Sequence, residues 1–488
     1  MKKVSELFKG IRYKLINMDR DFAFVGLSSD SRTIEKGELF IAVKGWERDG
    51  HNFINEAFNK GAAAVCSECI IKDAQEKKFI IIKDTAKALP LLASRFFEEP
   101  SRFLKSIGIT GTNGKTTTSH LIYEILKTAG KTPSLLGTVQ HRIGDKIIFP
   151  RNTTPGPALL HSFLNQMKNY GTDYIVMEVS SHALKQSRVS GVNFSSAVLT
   201  NITGDHLDYH GNMRDYANSK RFLFESLNKD SFAILNSDDK FCDEFSMATQ
   251  GKVITYGIAK KADFKATHIE TDIDGSRFFM DTPDGTIAMR TSLVGRHNIY
   301  NILAAAAVSF TEGIKANAVC EAIGRFAPVT GRLEPVLAGQ PFKIFIDYAH
   351  THDALKKILS EFKEICSGKI IVVFGCGGNR DKSKRPKMGK LASCLADYVI
   401  LTSDNPRDED PDIILDEIEK GFDHNFNAYK RIPDRFKAIE KSLRGRNASD
   451  VVIIAGKGHE DYQIIGDKRI PFNDKKVVKE ILNKADHV

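Results

Sequence analysis

The chain has 488 residues, a length that predicts roughly three domains. Hydrophobic residues make up 42% and charged residues 27%, as in ordinary globular proteins. The first residues lack the apolar core of a signal peptide, and no stretch approaches the roughly 18 apolar residues of a membrane span. We therefore expect a cytoplasmic protein with no membrane partner. We also expect a monomer, although no residue pattern indicates the oligomeric state.

The 70 Lys and Arg residues and 61 Asp and Glu residues give a formal net charge of +9, without a long basic block. Aromatic residues do not interleave with the basic ones, so we expect anionic small molecules and no nucleic acid as partners. The seven cysteines are scattered. Cys66 and Cys69 form a CxxC pair, but no second pair completes a zinc set, so we expect structural or incidental cysteines.

Residues 1–101 predict a small α/β domain. Strands are expected over 36–43, 62–66 and 79–82, with a helix over 52–61 that a glycine ends. The segment Asp30-Ser31-Arg32 precedes them and, taken alone, is typical of a capped turn. The polar segment 98–101 marks the expected boundary.

A glycine-rich turn lies between a predicted strand over 103–107 and a predicted helix over 119–127. Its sequence is Gly111-Thr112-Asn113-Gly114-Lys115-Thr116-Thr117. Strand, turn and helix in this order predict a phosphate-binding loop, in which backbone N–H groups and the helix N-terminus face phosphate oxygens. Lys115 can reach the terminal phosphates, and the Thr116 hydroxyl can coordinate Mg²⁺. The loop is a variant, because Ile109 stands where the strict pattern has glycine.

Alternation of strands and helices after this loop predicts a largely parallel sheet covered on both faces. Glu178 lies at the end of a predicted strand over 174–179, and His206 follows one over 196–200. Ligands gather at the carboxyl ends of parallel strands, so both should share an edge with the phosphate loop. Glu178 can bind Mg²⁺ as a hard oxygen ligand. His206 is an unusual magnesium ligand and, taken alone, is typical of a hydrogen-bonding loop histidine.

Two asparagines near the start of a later helix, Asn298 and Asn301, stand one turn apart on the same side. They could cap the helix or hydrogen-bond an adenine, and the residues alone favour neither. Further strands are predicted over 342–348, 369–374, 398–402 and 451–455, each followed by a polar cluster, which indicates a second ligand edge. Gly375–Asp381 is similar to a dinucleotide motif, but Arg380 replaces its last glycine, so we reject NAD.

Six motifs along the chain resemble those of the Mur ligase family, ATP-dependent enzymes that form amide bonds in peptidoglycan precursor synthesis. The motifs are Gly111-Thr-Asn-Gly-Lys-Thr-Thr117, Glu178-Val-Ser-Ser-His182, Asp205-His-Leu-Asp208, Gly295-Arg-His-Asn-Ile-Tyr-Asn301, Thr330-Gly-Arg-Leu-Glu334 and Asp347-Tyr-Ala-His350. The resemblance implies an α/β fold of three domains. These are a small α/β domain for the UDP substrate over 1–101, a central P-loop domain with a doubly wound sheet over 102–331, and a Rossmann-like amino-acid-binding domain over 332–488.

Five further motifs resemble the branch of the family that adds the third amino acid to UDP-N-acetylmuramoyl-L-alanyl-D-glutamate. They are Asp30-Ser-Arg32, Asn152-Thr-Thr-Pro155, Gly375-Cys-Gly-Gly-Asn-Arg380, Asp404-Asn-Pro-Arg407 and Gly456-Lys-Gly-His-Glu460. The resemblance implies that the UDP-muramoyl substrate contacts Ser31, Asn152, Thr153, Thr154, Ser180, Gln186 and Arg188. It implies that ATP contacts Gly111, Thr112, Asn113, Gly114, Lys115, Thr116, Thr117, Asn298, Asn301, Arg332 and Asp347.

The resemblance also implies catalytic and metal-binding roles. Lys220 matches the lysine that the family carries as a carbamate, although without the family it would be interpreted as an exposed helix lysine. Mg²⁺ would be held by Thr116, Glu178, His206 and carbamylated Lys220. Lys115 and Lys220 are then catalytic, and His350 is one candidate for the base that deprotonates the incoming amine.

The amino acid implied by the resemblance is meso-diaminopimelate, which differs from lysine by a second carboxylate. The planar guanidinium group of arginine binds a carboxylate through two hydrogen bonds, and Arg407 is the residue expected to bind the distal carboxylate of diaminopimelate. The implied amino-acid site comprises Arg380, Asp404, Asn405, Pro406, Arg407, Gly456 and Glu460. A plain turn is the alternative for 404–407. The competing functions are lysine addition, another Mur step, folylpolyglutamate synthesis and a P-loop ATPase that acts on nucleic acid.

Overall fold

The structure is a computed structural model that describes residues 1–45, 48–71 and 76–485. Within these ranges, no helix has both the length and the apolar run that crossing a bilayer requires. The seven cysteines are free thiols, Cys66 and Cys69 among them.

The N-terminal part builds a small sheet with helices on both faces. Its strands pair in the order β2-β7-β6-β5-β4, parallel except for β2. One face packs on α1 and α3 and the other on α2. The element bounds are β1 (Lys2–Lys3), α1 (Val4–Leu7), β2 (Tyr13–Ile16), β3 (Ala23–Phe24), β4 (Leu27–Ser28), β5 (Leu39–Ile41), a 3-10 helix (Gly50–Phe53), α2 (Ile54–Asn59), β6 (Ala64–Ser67), β7 (Phe79–Ile82), α3 (Thr85–Phe96) and a second 3-10 helix (Pro100–Phe103).

The central part builds a long mixed sheet in the order β11-β10-β9-β12-β8-β13-β14-β15-β16-β17-β18. Strands from β9 to β16 in this order run parallel, and the pairs at both ends are antiparallel. The bounds are β8 (Lys105–Thr110), β9 (Pro133–Leu136), β10 (His141–Ile143), β11 (Lys146–Ile148), β12 (Tyr174–Glu178), β13 (Phe194–Leu199), β14 (Phe232–Asn236), β15 (Lys252–Gly257), β16 (Phe264–Asp272), β17 (Gly275–Thr282) and β18 (Gly285–Thr291).

Helices cover both faces of the parallel strands. In β12, Val176 packs toward α4, α10 and α11, whereas Ile175 and Met177 pack toward α5 and α8. Burial on both faces explains why these strands are continuous apolar runs. The helix bounds are α4 (Lys115–Thr128), α5 (Pro157–Tyr170), α6 (Ser181–Lys185), α7 (Leu207–His210), α8 (Met213–Glu225), α9 (Cys242–Ala248), α10 (Arg296–Thr311) and α11 (Ala316–Arg325).

The structure corrects two sequence expectations here. The strand before the phosphate loop was expected over 103–107, but it begins at Lys105, and Phe103 lies 63% exposed in a 3-10 helix. The expected parallel sheet also gains an antiparallel extension, β16–β18, whose strands are joined by tight turns rather than helices. The turn signals Asp274-Gly275 and Asp284-Gly285 lie at these joints.

The C-terminal part builds a second doubly wound sheet in the order β19-β20-β24-β21-β22-β23, parallel except for β19. Helices α12, α13 and α14 cover one face, and α15 and α16 cover the other. The bounds are β19 (Glu334–Pro335), β20 (Lys343–Asp347), α12 (His352–Ile365), β21 (Ile370–Phe374), α13 (Lys384–Leu395), β22 (Tyr398–Leu401), α14 (Pro411–Glu419), β23 (Tyr429–Arg431), α15 (Arg435–Leu443), β24 (Val451–Ala455), β25 (Tyr462–Ile465), β26 (Lys468–Pro471) and α16 (Asp474–Ala485).

Helix α12 shows why the polar clusters lie where they do. The Thr351 hydroxyl accepts the N–H of Ala354 and caps the helix directly after β20. Leu355, Leu359 and Phe362 recur at helical spacing and bury the inner face. The side chains between strand and helix are therefore held at the carboxyl edge of the sheet.

Candidate active site

The phosphate loop joins the end of β8 to the start of α4. Gly111 has φ 149° and Gly114 has φ 87°, and a Cβ at either would collide with Thr200 or Asn301. The Lys115 ammonium donates to the carbonyl oxygens of Gly111 (2.8 Å) and Thr112 (2.9 Å). Burial lowers the pKa of Lys115. The cation is thus held on neutral acceptors, which an anionic ligand can replace.

Glu178 ends β12, the strand beside β8, and is completely buried. Its carboxylate accepts hydrogen bonds from the Thr116 hydroxyl (3.0 Å), the Thr138 N–H (2.8 Å) and the Thr138 hydroxyl (2.8 Å). Two carboxylate oxygens offer about four acceptor positions, so one remains. Thr116 and Glu178 are adjacent hard oxygen ligands of the kind Mg²⁺ prefers.

Lys220 lies on α8 and is 1% exposed, although its residue type alone suggested a surface position. Its amine donates to the Gly111 carbonyl (2.9 Å), the same oxygen that accepts from Lys115. Burial, together with the nearby Lys115 charge, lowers the pKa of Lys220 well below its usual value. A neutral amine is the form that reacts with carbon dioxide, so the site fits the carbamate implied by the resemblance.

His206 stands at the same edge in a left-handed conformation (φ 53°). Its ring packs edge-on against His182 (centroids 4.8 Å apart), and its Nε2 lies 3.5 Å from the Asp205 carboxylate. Burial lowers the pKa of His206, and the charges of Lys115 and Lys220 act on it. Across the described residues, His, Cys, Asp and Glu side chains form no group of three placed to hold a metal.

The two asparagines of α10 lie behind the phosphate loop and are nearly buried. Asn301 donates to the Asn298 side-chain oxygen (3.1 Å) and accepts from the Thr118 hydroxyl (3.3 Å). Asn298 donates to the Val294 carbonyl (2.9 Å) before the helix. The pair ties the start of α10 to the start of α4.

Three further predicted residues belong to the C-terminal part, and one of them, Arg332, reaches the start of α4. The Arg332 guanidinium lies 4.6 Å from the Tyr348 ring centre and 3.4 Å from the Thr116 hydroxyl. Asp347 accepts two backbone N–H groups at 2.7 Å, and burial raises the pKa of its carboxyl. His350 Nδ1 bonds the Tyr348 carbonyl (2.8 Å), which can only accept, so Nδ1 carries the hydrogen and Nε2 the lone pair. Burial lowers the pKa of His350, which favours this neutral form.

Sequence reasoning missed Asp353, which joins the central and C-terminal parts. Its carboxylate accepts from the Asn113 amide (3.1 Å) and the Thr203 hydroxyl (3.0 Å), and it pairs with Lys357 on its own helix. Its place in the first turn of α12, after β20, was the available signal.

Four residues predicted for the UDP-muramoyl substrate form a connected group next to Glu178. The Thr154 hydroxyl donates to the Glu178 carbonyl (2.8 Å) and accepts from the Ser180 N–H (3.1 Å). Arg188 donates to the Thr154 carbonyl (3.0 Å) and to the Gln186 side-chain oxygen (2.6 Å).

The other three predicted residues of this substrate site are less connected. The Thr153 and Thr138 hydroxyls lie within hydrogen-bond distance of each other (3.1 Å), and Asn152 is exposed. Ser31 is buried in the N-terminal part, where its carbonyl accepts the Lys60 ammonium (3.0 Å). No contact recorded among the described residues joins Ser31 to the group around Thr154.

A second edge lies where β21, β22 and β24 end. Arg407 has φ 53°, and its guanidinium donates to the carbonyls of Gly378 (2.7 Å) and Asn405 (3.5 Å). Burial and the nearby Arg380 charge lower the pKa of Arg407. Arg380 is exposed. Two guanidinium groups near each other can each bind a carboxylate group.

The predicted residues Asn405 and Glu460 meet at this edge around a lysine that sequence reasoning missed. The Asn405 amide donates to Glu460 Oε2 (2.9 Å), and the Lys457 ammonium donates to Glu460 Oε2 (3.0 Å) and Asn405 Oδ1 (3.1 Å). Asp404, Pro406 and Gly456 are buried beside them, and Gly456 leaves no room for a Cβ against the Asp404 carboxylate.

Family models match three successive stretches of the chain. They are the Mur ligase family catalytic domain over 23–97, the Mur ligase middle domain over 109–309, and the Mur ligase glutamate ligase domain over 331–458. The chain therefore belongs to the Mur ligase family, whose middle-domain match contains the phosphate loop, Glu178, Lys220 and His206.

Curated relatives and solved structures agree with this assignment. A protein from Geobacillus thermodenitrificans named UDP-N-acetylmuramoyl-L-alanyl-D-glutamate–2,6-diaminopimelate ligase is 43% identical over 461 residues, 93% of this chain and 94% of its own. One of the same name from Syntrophomonas wolfei is 40% identical and covers 98% and 99%. A solved structure of that name is 32% identical, with TM-score 0.71 and full coverage of both chains. A MurF ligase from Thermotoga maritima in complex with ADP shares the fold (20% identity, TM-score 0.67, covering 95% and 98%).

Proposed function

We propose that this protein is an ATP-dependent ligase that joins meso-diaminopimelate to UDP-N-acetylmuramoyl-L-alanyl-D-glutamate in peptidoglycan precursor synthesis. The names of its relatives support this activity. The observation that carries the choice of amino acid is the Arg407 side chain, whose hydrogen bonds within the described residues go to carbonyl oxygens at the second ligand edge. A carboxylate is the ligand such a guanidinium binds best.

The three parts of the chain divide this work. Residues 1–101 and the group around Thr154 bind the UDP-muramoyl substrate, residues 102–331 bind ATP, and residues 332–488 bind the amino acid and close over ATP. Three separate sheets, over 13–82, 105–291 and 334–455, support this division. We expect the enzyme to be a monomer and to work in the cytoplasm, where ATP and the UDP-linked substrate are found.

The first step makes the carboxyl group reactive. The D-glutamyl side-chain carboxylate attacks the γ-phosphorus of ATP, the bond from that phosphorus to the bridging oxygen breaks, and ADP leaves behind an acyl phosphate. Lys115 turns from the carbonyls of Gly111 and Thr112 to the phosphate oxygens and balances their charge. Arg332, next to Thr116, adds a second cation from the C-terminal part.

Mg²⁺ at this edge would neutralise phosphate charge when bound. Thr116, Glu178, His206 and carbamylated Lys220 are the residues proposed to hold it. The direct contact of Thr116 with Glu178 and the lowered pKa of Lys220 support this set.

The second step forms the amide bond. The neutral amine attacks the acyl carbon, loses a proton, and the tetrahedral intermediate expels inorganic phosphate. His350 is the proposed acceptor of this proton, because its Nε2 carries a lone pair and its ring lies near Asp205, whose charge also acts on Lys115.

The amino-acid site separates carboxylates from amines by charge. Arg407 binds the distal carboxylate and Arg380 the other, while Asp404 or Glu460 binds an amino group. Lysine lacks the distal carboxylate, so Arg407 would have no partner in a lysine complex.

Phosphate release provides the test. The purified enzyme is mixed with ATP, the UDP-muramoyl dipeptide and one amino acid of a panel that contains meso-diaminopimelate and lysine. We expect release only when all three are present, and fastest with diaminopimelate. A preference for lysine would point to the alternative lysine-adding activity, and stimulation by DNA or RNA would point to a nucleic-acid ATPase.

A further inference from the structure

Lys457 is a buried charged residue to which the proposed reaction gives no task. It follows β24 directly and is 0% exposed. A lysine is rarely buried without a partner, because removing its charge from water is costly. Its neighbours therefore indicate what it does.

The ammonium group of Lys457 has three donors and is surrounded by acceptors. It donates to Asn405 Oδ1 (3.1 Å) and Glu460 Oε2 (3.0 Å), and lies 5.5 Å from the centre of the Tyr462 ring. Asn405 Oδ1 also accepts the N–H of Ile464 (3.0 Å). These two donors fix which end of the Asn405 side chain is oxygen, so its NH₂ group faces Glu460.

Glu460 is thus held through one of its two oxygens. Oε2 accepts from Lys457 and from Asn405 (2.9 Å), whereas no residue in the described part of the chain donates to Oε1. The side chain is 16% exposed, and its charge acts on the Arg407 guanidinium nearby. A carboxylate oxygen that is fixed, accessible and close to a guanidinium suits a zwitterionic ligand, with its ammonium on Glu460 and its carboxylate on Arg407.

We infer that Lys457 is a positioning residue for the amino-acid substrate: it locks Glu460 and Asn405 so that Glu460 Oε1 faces the ammonium group of the amino acid. Lys457 itself touches no substrate. The inference rests on the proposed function, because it presupposes that this edge holds an amino acid.

The effect should appear in KM for the amino acid and not in the other kinetic constants. Lys457→Met keeps the length of the side chain and removes its charge and donors. Glu460 is then free to turn, and we expect KM for diaminopimelate to rise. The rise should be on the order of tenfold, which is the lower end of the loss seen when a residue that orients a binding group is removed. KM for ATP and for the UDP-muramoyl dipeptide should not change. Lys105→Met is the control. Lys105 also pairs with a glutamate, Glu312, but it lies at the start of β8, at the end of this strand opposite the phosphate loop.

A double variant separates positioning from stability. Lys457→Met leaves a partly buried Glu460 charge unpaired, which lowers Tm, and adding Glu460→Gln removes that charge. Glu460→Gln alone should already raise KM for diaminopimelate, because it removes the carboxylate that binds the ammonium group. Adding Lys457→Met to Glu460→Gln should raise that KM little further, and Tm should recover relative to Lys457→Met alone. A further rise of KM in the double variant as large as the rise in Lys457→Met alone, or an equal rise of all three KM values in Lys457→Met, would overturn the inference.

Two further results keep the test decisive. If Lys457→Met does not fold, Lys457→Gln replaces it. The glutamine side chain is shorter than lysine and cannot reach both Asn405 and Glu460. An unchanged KM for diaminopimelate in Lys457→Gln overturns the inference. If the wild-type enzyme forms no product from diaminopimelate at all, the proposed function fails instead, before any variant is compared.

Discussion

Both ligand edges lie where parallel strands end, but the cations found there have two different kinds of hydrogen-bond partner. At the phosphate loop, Lys115 and Lys220 both donate to the Gly111 carbonyl, and at the second edge Arg407 donates to carbonyls in the same way. Lys457, at the second edge, is paired with a carboxylate. A cation held on neutral oxygens can exchange them for an anionic ligand without leaving a charge unpaired. A cation paired with a carboxylate cannot change partner in this way, because the carboxylate would be left unpaired. The two kinds of contact therefore distinguish residues that bind a ligand from residues that position other side chains.

The largest effect should come from Lys115→Ala. The γ-phosphate would lose its cation in a partly dehydrated site, and we expect kcat/KM to fall on the order of 10²–10³-fold or more. The fold should persist, because the Lys115 ammonium donates to loop carbonyls that are part of no helix or strand ladder, and no other acceptor for it is found among the described residues. Lys127→Ala, at the exposed end of the same helix, is the control. Near-normal turnover of a folded Lys115→Ala protein would remove Lys115 from the site.

Lys220→Ala should be nearly as severe, with a loss on the order of 100-fold, if the carbamate is the working group. Short carboxylates such as formate should partly restore activity by occupying the place of the carbamate. Lys229→Ala, on the exposed turn after α8, is the control and should be fully active. Mass spectrometry of the native protein checks the modification directly, and a fully active enzyme with an unmodified Lys220 would refute this prediction.

Arg407→Ala tests the second edge and should change selectivity more than activity. Removing one partner of a hydrogen-bonded charge pair costs roughly 2–5 kcal/mol, which at about 1.4 kcal/mol per factor of ten is on the order of 30-fold or more. We expect that loss in kcat/KM for diaminopimelate and a much smaller one for lysine. Arg407→Lys keeps the charge but not the fork, and should be intermediate. A proportional loss with both amino acids would show that Arg407 does not read the distal carboxylate.

The sequence was sufficient for features that depend on neighbouring residues. The phosphate loop could be predicted because its glycines lie between an apolar strand and an amphipathic helix, although the helix, expected over 119–127, begins earlier, at Lys115. The polar clusters after β20, β21, β22 and β24 were predicted for the same reason, since parallel strands end at one edge. The α/β class and the two-sided central sheet followed from strand and helix alternation, whereas the Rossmann-like C-terminal domain was implied by the resemblance to the family.

Features that depend on distant residues were not predictable in this way. Lys457 meets Asn405 across 52 positions, and Asp353 meets Asn113 across 240. Neither pair leaves a local pattern, because each side chain alone is typical of a solvated surface. Lys220 illustrates the same limit, since only the resemblance to the family distinguished it from an exposed lysine, whereas the fold buries it against Gly111.

The smallest effect should come from Asp353, which connects the two edges. Its carboxylate holds the Asn113 amide of the phosphate loop and the Thr203 hydroxyl, but its side chain is 27% exposed. Partly exposed contacts of this kind contribute at most about 1 kcal/mol, which corresponds to about fivefold. We therefore expect Asp353→Ala to lower kcat/KM for ATP by no more than about fivefold, without changing the preference for diaminopimelate over lysine. Lys357→Ala, which removes the partner of Asp353 on its own helix but leaves the contacts to Asn113 and Thr203, should change kcat/KM less. A loss for Asp353→Ala as large as that for Lys115→Ala would mean that Asp353 acts on the phosphates and that the second edge contributes to phosphate chemistry directly.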